Sequence, residues 1–159
     1  MDILEKHEFD TVYHEHLRFY SMKPLIKLFS LAGFSVIDVE RIDAAGGSIR
    51  VYATRKNNRQ VPNSRVASLI KTEEKAGLYK ESTYHKFAER IHTAKRELLA
   101  LLVRSKKNGE RIVGIGSPAR ANTLLGFTHI DDTFLDYCVE RAGSLKIGLY
   151  TPGTHICVE

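Results

Sequence analysis

Residues 9–21 read FDTVYHEHLRFYS and bring together two histidines, a glutamate and two tyrosines. An unperturbed imidazole titrates at about 6.5, so a neutral histidine can act as a general base near neutral pH. A phenol can donate to the oxyanion that forms, and a carboxylate can orient the ring. In an extended segment Tyr13 and Glu15 face one way and His14 and His16 the other; in a helix Tyr13 and His16 share a face. Two other uses stay open. His14 and His16 form an HxH pair with His7, Glu8 and Asp10 nearby, although the spacing matches no metal motif. The residues can also be polar loop groups, hydrogen-bonded and inert.

A second constellation lies in GIGSPARANTLL. Gly114, Gly116 and Ala119 fit G-x-G-x-x-G/A after an apolar strand and before a helix, where backbone amides approach a phosphate and the helix dipole favours negative charge. Glu140, at the end of the next strand, stands near the distance expected of a ribose-binding acid. Pro118 speaks against a dinucleotide site, since it removes one amide donor from the turn. Arg120 and Asn122 follow the turn and could bind a phosphate or a sugar. His85 and His92 fall on a charged helix and are expected to be exposed, whereas His155 in PGTHI lies close to a turn and could join a site.

These residues must be positioned by a mixed set of elements. Residues 21–34 are predicted to form a helix with Ser21 as its cap, Leu25, Leu28, Phe29 and Ala32 on its apolar face, and Gly33 as its stop. SVIDVERI and SIRVYATR flank DAAGG and read as an antiparallel pair; in the second, Ile49, Val51 and Ala53 alternate with Arg50, Tyr52 and Thr54. A linker follows at 56–64. Two helices broken near Gly77 are expected between Ser64 and Lys107, with Phe87, Ile91, Ala94, Leu98 and Leu102 at helical spacing. RIVGIGS, ARANTLLG and TFLDYCVE then read as strand, helix and strand, and the tail has turn signals at Pro152 and Gly153 before one more short strand. The hairpin has no parallel strands to cover its faces, so the chain reads as incomplete.

The bulk properties bound the function. At 159 residues with 43% apolar content the chain can build a real core. The net charge of +5 is spread along the sequence, a mild bias toward anionic ligands in which no nucleic-acid recognition module stands out. Cys138 and Cys157 lack CxxC spacing, so no zinc site or disulfide framework is indicated, and buried reduced thiols are expected. The chain shows no signal peptide and no membrane-length apolar run, and a soluble cytoplasmic protein with no membrane partner is expected.

Together, FDTVYHEHLRFYS, AAGGSIRVYATR, GIGSPARANTLL and YTPGTHI resemble the S-adenosylmethionine-dependent C-methyltransferases that act on nucleotide-linked keto sugars. The four stretches occur in the family's order across nearly the whole chain. Full-length members are similar to a three-part protein: a zinc-binding N-terminal region, a methyltransferase domain, and a Rossmann-like C-terminal domain that helps hold the nucleotide sugar. The resemblance covers only the back half, without the cysteine-rich region or the donor-binding first strand turn, and so implies a missing N-terminal half. It implies that Tyr13, Glu15 and His16 lie at the sugar, with His16 as the base, and that Gly114, Gly116, Ser117, Arg120 and Asn122 stand on the nucleotide-sugar side.

The expected fold is therefore α/β: the tail of a class I methyltransferase domain over 1–60, a helical connector over 61–109, and a truncated Rossmann-like β-α-β domain over 110–159. S-adenosylmethionine is the expected cofactor, bound mainly outside this chain, and no metal is expected. A nucleotide-sugar binding module without catalysis, or a small NAD-binding oxidoreductase, are the competing readings. An apolar face left exposed by truncation would favour a homo-oligomer.

Overall fold

The computed structural model describes residues 1–58 and 60–159. Arg59, inside the linker expected at 56–64, lies outside the described residues. The described residues form a mixed α/β protein with two small sheets and divide into two compact units.

The first unit comprises Met1–Glu8 and Leu17–Phe87. A short helix α1 (Asp2–Glu5) is followed by α2 (Met22–Leu31), β1 (Phe34–Ile42), β2 (Ser48–Arg55), α3 (Ser64–Lys75) and the start of α4 (Glu81–Lys107). The two strands pair antiparallel from Phe34↔Arg55 to Ile42↔Ser48, as the alternation in the sequence requires. A bulge between Val36 and Asp38 shifts the register by one residue. That shift turns both Val36 and Val39, three positions apart, into the same core.

The hairpin is not bare. Helices α2 and α3 pack on β1, and Met22, Val36, Val39, Val66 and Leu69 close the core between them. The expectation of an uncovered hairpin is corrected for this face, because the two helices take the place that parallel strands would fill. The inward face of α2 also differs from the expected one: Met22, Ile26 and Phe29 face the core, whereas Leu28 and Ala32 are exposed. Gly33 follows α2 at φ +82°, a left-handed stop open to glycine, and Gly77 at φ +75° separates α3 from α4.

The start of α2 has an unusual cap. Ser21 makes no side-chain cap bond; instead the carboxylate of Glu73, brought in from α3, accepts the Met22 N–H at 2.9 Å and 3.2 Å from its two oxygens. Tyr79 donates its hydroxyl proton to the same carboxylate. Glu73 is buried, and its carboxyl oxygens are satisfied by the helix N-terminus and a phenol.

The second unit comprises Phe9–His16 and Ala88–Glu159. The rest of α4 leads to β3 (Val113–Ile115), α5 (Ala121–Thr128) and β4 (Tyr137–Val139), and β3 and β4 pair in parallel. The strands are shorter than the predicted RIVGIGS and TFLDYCVE. The tail adds the further pairing foreseen for it: Val158 bridges Cys138 in parallel, and Cys157 bridges Tyr150 antiparallel. Leu102, Leu125, Ile130, Cys138 and Ile156 form this unit's core. Cys138 is buried and Cys157 half-buried, both reduced, and burial pushes the Cys138 thiol above its ordinary pKa.

Candidate functional site

The YHEH residues occupy neither a strand nor a helix. A single 3₁₀ turn over Phe9–Thr11 precedes them, and the His16 N–H donates to the Tyr13 carbonyl at 2.9 Å, folding the four residues into a turn. The turn brings the rings into contact: Tyr13 and His16 lie 4.5 Å apart between centroids with their planes tilted by 52°, and the His14 ring meets Tyr13 edge-on at 5.6 Å. Tyr13 donates to Glu15 Oε2 at 3.3 Å. Desolvation first, and then the Glu15 charge and hydrogen bond, hold the Tyr13 phenol above its ordinary pKa against the opposing pull of Arg120. The His16 Nδ1 stands 2.9 Å from the Thr11 carbonyl oxygen and 3.1 Å from Thr11 Oγ1.

This segment packs on α5 within its unit. The Phe9 ring meets Phe127 edge-on at 5.0 Å. Arg120 donates from Nε to Asp10 Oδ2 at 2.7 Å and from Nη2 to Asp10 Oδ1 at 3.0 Å. Thus the structure joins two stretches more than a hundred positions apart: Tyr13, Glu15 and His16 on one side, and Arg120 at the end of the glycine turn on the other. Arg120 here binds a carboxylate three positions before the YHEH turn.

The glycine turn itself is built for close packing. A Cβ on Gly114 would stand 2.6 Å from the Cys138 sulfur, and Gly116 sits at φ +80° with its N–H donating to Val139 O at 2.8 Å. Ser117 N–H points at Glu140 Oε2 at 3.4 Å, and Lys146 Nζ donates to Ser117 O at 2.5 Å. The backbone N–H groups of Arg141 and Ser117, in that order, with Lys146, hold the Glu140 carboxyl below its ordinary pKa. Glu140 therefore meets an amide that a phosphate would otherwise use. Asn122 is exposed on the first turn of α5. His85 and His92 are exposed on α4, His85 beside Glu81 at 3.3 Å and His92 against Phe127 at 5.5 Å. His155 is an exposed turn residue at φ +54°. Among the described residues, no group of three or more histidine, cysteine, aspartate or glutamate side chains is placed to hold a metal ion. No helix among them is long and apolar enough to cross a membrane.

Residues 43–159, which hold the hairpin's second strand, the glycine turn and the tail, match the family described as "C-methyltransferase C-terminal domain". The chain belongs to the C-methyltransferase C-terminal domain family. It is also 30% identical over 159 residues to the C-methyltransferase NovU of Streptomyces niveus, a similarity that covers 98% of this chain and therefore extends beyond the family match at its N-terminal side. The chain spans 37% of the length of that relative.

For this C-methyltransferase family chain, two contributors escaped the sequence reading. Thr11 has no role in the sequence-based expectation, and Asp10 enters it only beside a possible metal pair. The usable signal was local: Asp and Thr just before YHEH are turn formers whose main-chain oxygens come close to side chains a few residues on.

Proposed function

We propose that this chain is the C-terminal part of an S-adenosylmethionine-dependent enzyme that methylates a carbon of a nucleotide-linked keto sugar. The observation that carries the proposal is the Tyr13–Glu15–His16 turn, with the phenol and imidazole rings in tilted contact 4.5 Å apart and a carboxylate on the phenol, in a chain of C-methyltransferase lineage. A ketone acidifies its neighbouring carbon. On this reading His16 takes that proton, the electron pair is delocalised onto the keto oxygen, and the single Tyr13 O–H, which rests on Glu15 in the free chain, turns to donate to the resulting enolate. The glycine turn with Gly114, Gly116, Ser117, Arg120 and Asn122 stands on the nucleotide side, in a Rossmann-like domain that continues the parallel β3–α5–β4 unit.

The residues present do not fit the methyl donor. A donor ribose needs an acid at the end of the strand after the glycine turn, and the one there, Glu140, is engaged by the Arg141 and Ser117 N–H groups and by Lys146. The donor is therefore assigned to protein outside these 159 residues, and what this chain supplies is proton removal and charge stabilisation. The test is product analysis with the full-length enzyme, S-adenosylmethionine and a panel of nucleotide-linked keto sugars. A new carbon-bound methyl group on one of them supports the reading, and no C-methylated sugar across the panel contradicts it.

A further inference from the structure

The histidine proposed as the base is held on one side by a main-chain oxygen, and that contact decides which of its nitrogens can work. A carbonyl oxygen only accepts hydrogen bonds. Thr11 O accepts the Tyr13 N–H at 3.1 Å and stands 2.9 Å from His16 Nδ1. A lone pair on Nδ1 would face oxygen lone pairs at that distance, whereas an Nδ1–H makes a normal hydrogen bond. Thr11 Oγ1, 3.1 Å from the same nitrogen, can accept a share of it. We infer that the Thr11 carbonyl locks neutral His16 in the Nδ1–H tautomer, and that the Asp10–Arg120 ion pair and the Phe9–Phe127 contact position that carbonyl.

The consequence for chemistry rests on the proposed function. In this tautomer Nε2 carries the lone pair and is the nitrogen that accepts the substrate proton: the carbon–hydrogen bond breaks, the proton moves to Nε2, and the electron pair stays with the substrate. The ring is then an imidazolium, and its Nδ1–H bond to Thr11 O becomes charge-assisted and stronger, which favours proton transfer. Asp10, Thr11 and Arg120 thereby act as positioning residues. They need not touch the sugar. The 3₁₀ turn they anchor carries the orientation that a carboxylate often supplies to a catalytic histidine.

The tautomer can be read without substrate or donor. The whole 159-residue chain is labelled with ¹⁵N, and long-range proton–nitrogen correlations of the His16 ring are recorded at a pH above the imidazole range. A protonated-type Nδ1 and an unprotonated-type Nε2 are expected; the reverse pattern, or an average of both, overturns the lock. Thr11→Val, which keeps the carbonyl, is expected to leave the pattern unchanged, and a reversal there would overturn the carbonyl's role. Asp10→Asn and Arg120→Gln, each checked for a native-like dispersed spectrum, are expected to shift the ring toward a mixture of tautomers. A folded variant of either kind with the wild-type pattern would overturn the positioning role of the ion pair. Failure of the base assignment itself would appear elsewhere, as undiminished methyl transfer by the full-length His16→Ala enzyme.

Discussion

The guanidinium of Arg120 lies fork-to-fork on the carboxylate of Asp10, with contacts of 2.7 and 3.0 Å between residues 110 positions apart. The pair ties the start of α5 to the turn that precedes YHEH. Its side chains are 43% and 22% exposed, so solvent screens much of the attraction. A double-mutant cycle with Asp10→Asn and Arg120→Gln, followed by urea denaturation, should give a coupling of about 0.5–1 kcal/mol. A coupling indistinguishable from zero would mean that the two stretches are held together by other contacts.

Gly114 is required by its neighbour. Gly114→Ala would set a methyl group 2.6 Å from the Cys138 sulfur in a closed core, and a loss of about 1–3 kcal/mol is expected in thermal or chemical unfolding. Making the same change in a Cys138→Ala background removes the sulfur and should cost clearly less. Equal losses in the two backgrounds would show that the close approach is not the cause.

The buried Glu73 carboxylate caps α2 from another helix. Glu73→Ala strips a partner from the Met22 N–H, which belongs to a residue with no exposed surface, and should destabilise the first unit by about 2–3 kcal/mol. Tyr79→Phe removes one donor to Glu73 and should cost about 1 kcal/mol. Circular dichroism melts of the two variants check the order. A larger loss for Tyr79→Phe would contradict the cap as the main role of Glu73.

Asp136 supplies one pH-sensitive contact of the second unit. The Ile112 N–H at 2.7 Å and then Lys106 at 3.0 Å hold its carboxyl below the ordinary aspartate range. A depressed folded pKa stabilises the protein above the unfolded value of about 3.9, and the contribution is lost as pH falls through the folded value. The stability advantage of the wild type over Asp136→Asn should therefore be full near neutral pH and shrink below about pH 4. A gap that widens with acid would reverse the sign of the linkage.

Much of the architecture was legible in local pattern. The alternation of Ile49, Val51 and Ala53 gave β2, Gly33 and Gly77 gave the helix breaks, and GIGSPA gave the strand–turn–helix unit. What escaped were relationships set by packing. Nothing local announces that Met22 and Ile26, rather than Leu28 and Ala32, face the core, because α3 and the bulged β1 decide that face. The turn conformation of YHEH was equally hidden, since extended and helical forms both suit its residue types. Its shape follows from Phe9 and Asp10 meeting Phe127 and Arg120, partners that no short window contains.

The most direct test of His16 as the base is exchange of the proton on the carbon beside the ketone, followed by proton NMR in D₂O. The full-length enzyme is incubated with a thymidine diphosphate-linked keto sugar without methyl donor. The wild type should wash that proton out, and His16→Ala should slow the exchange by about 10²- to 10⁴-fold. Exchange at the wild-type rate in His16→Ala would contradict the role assigned to the YHEH turn.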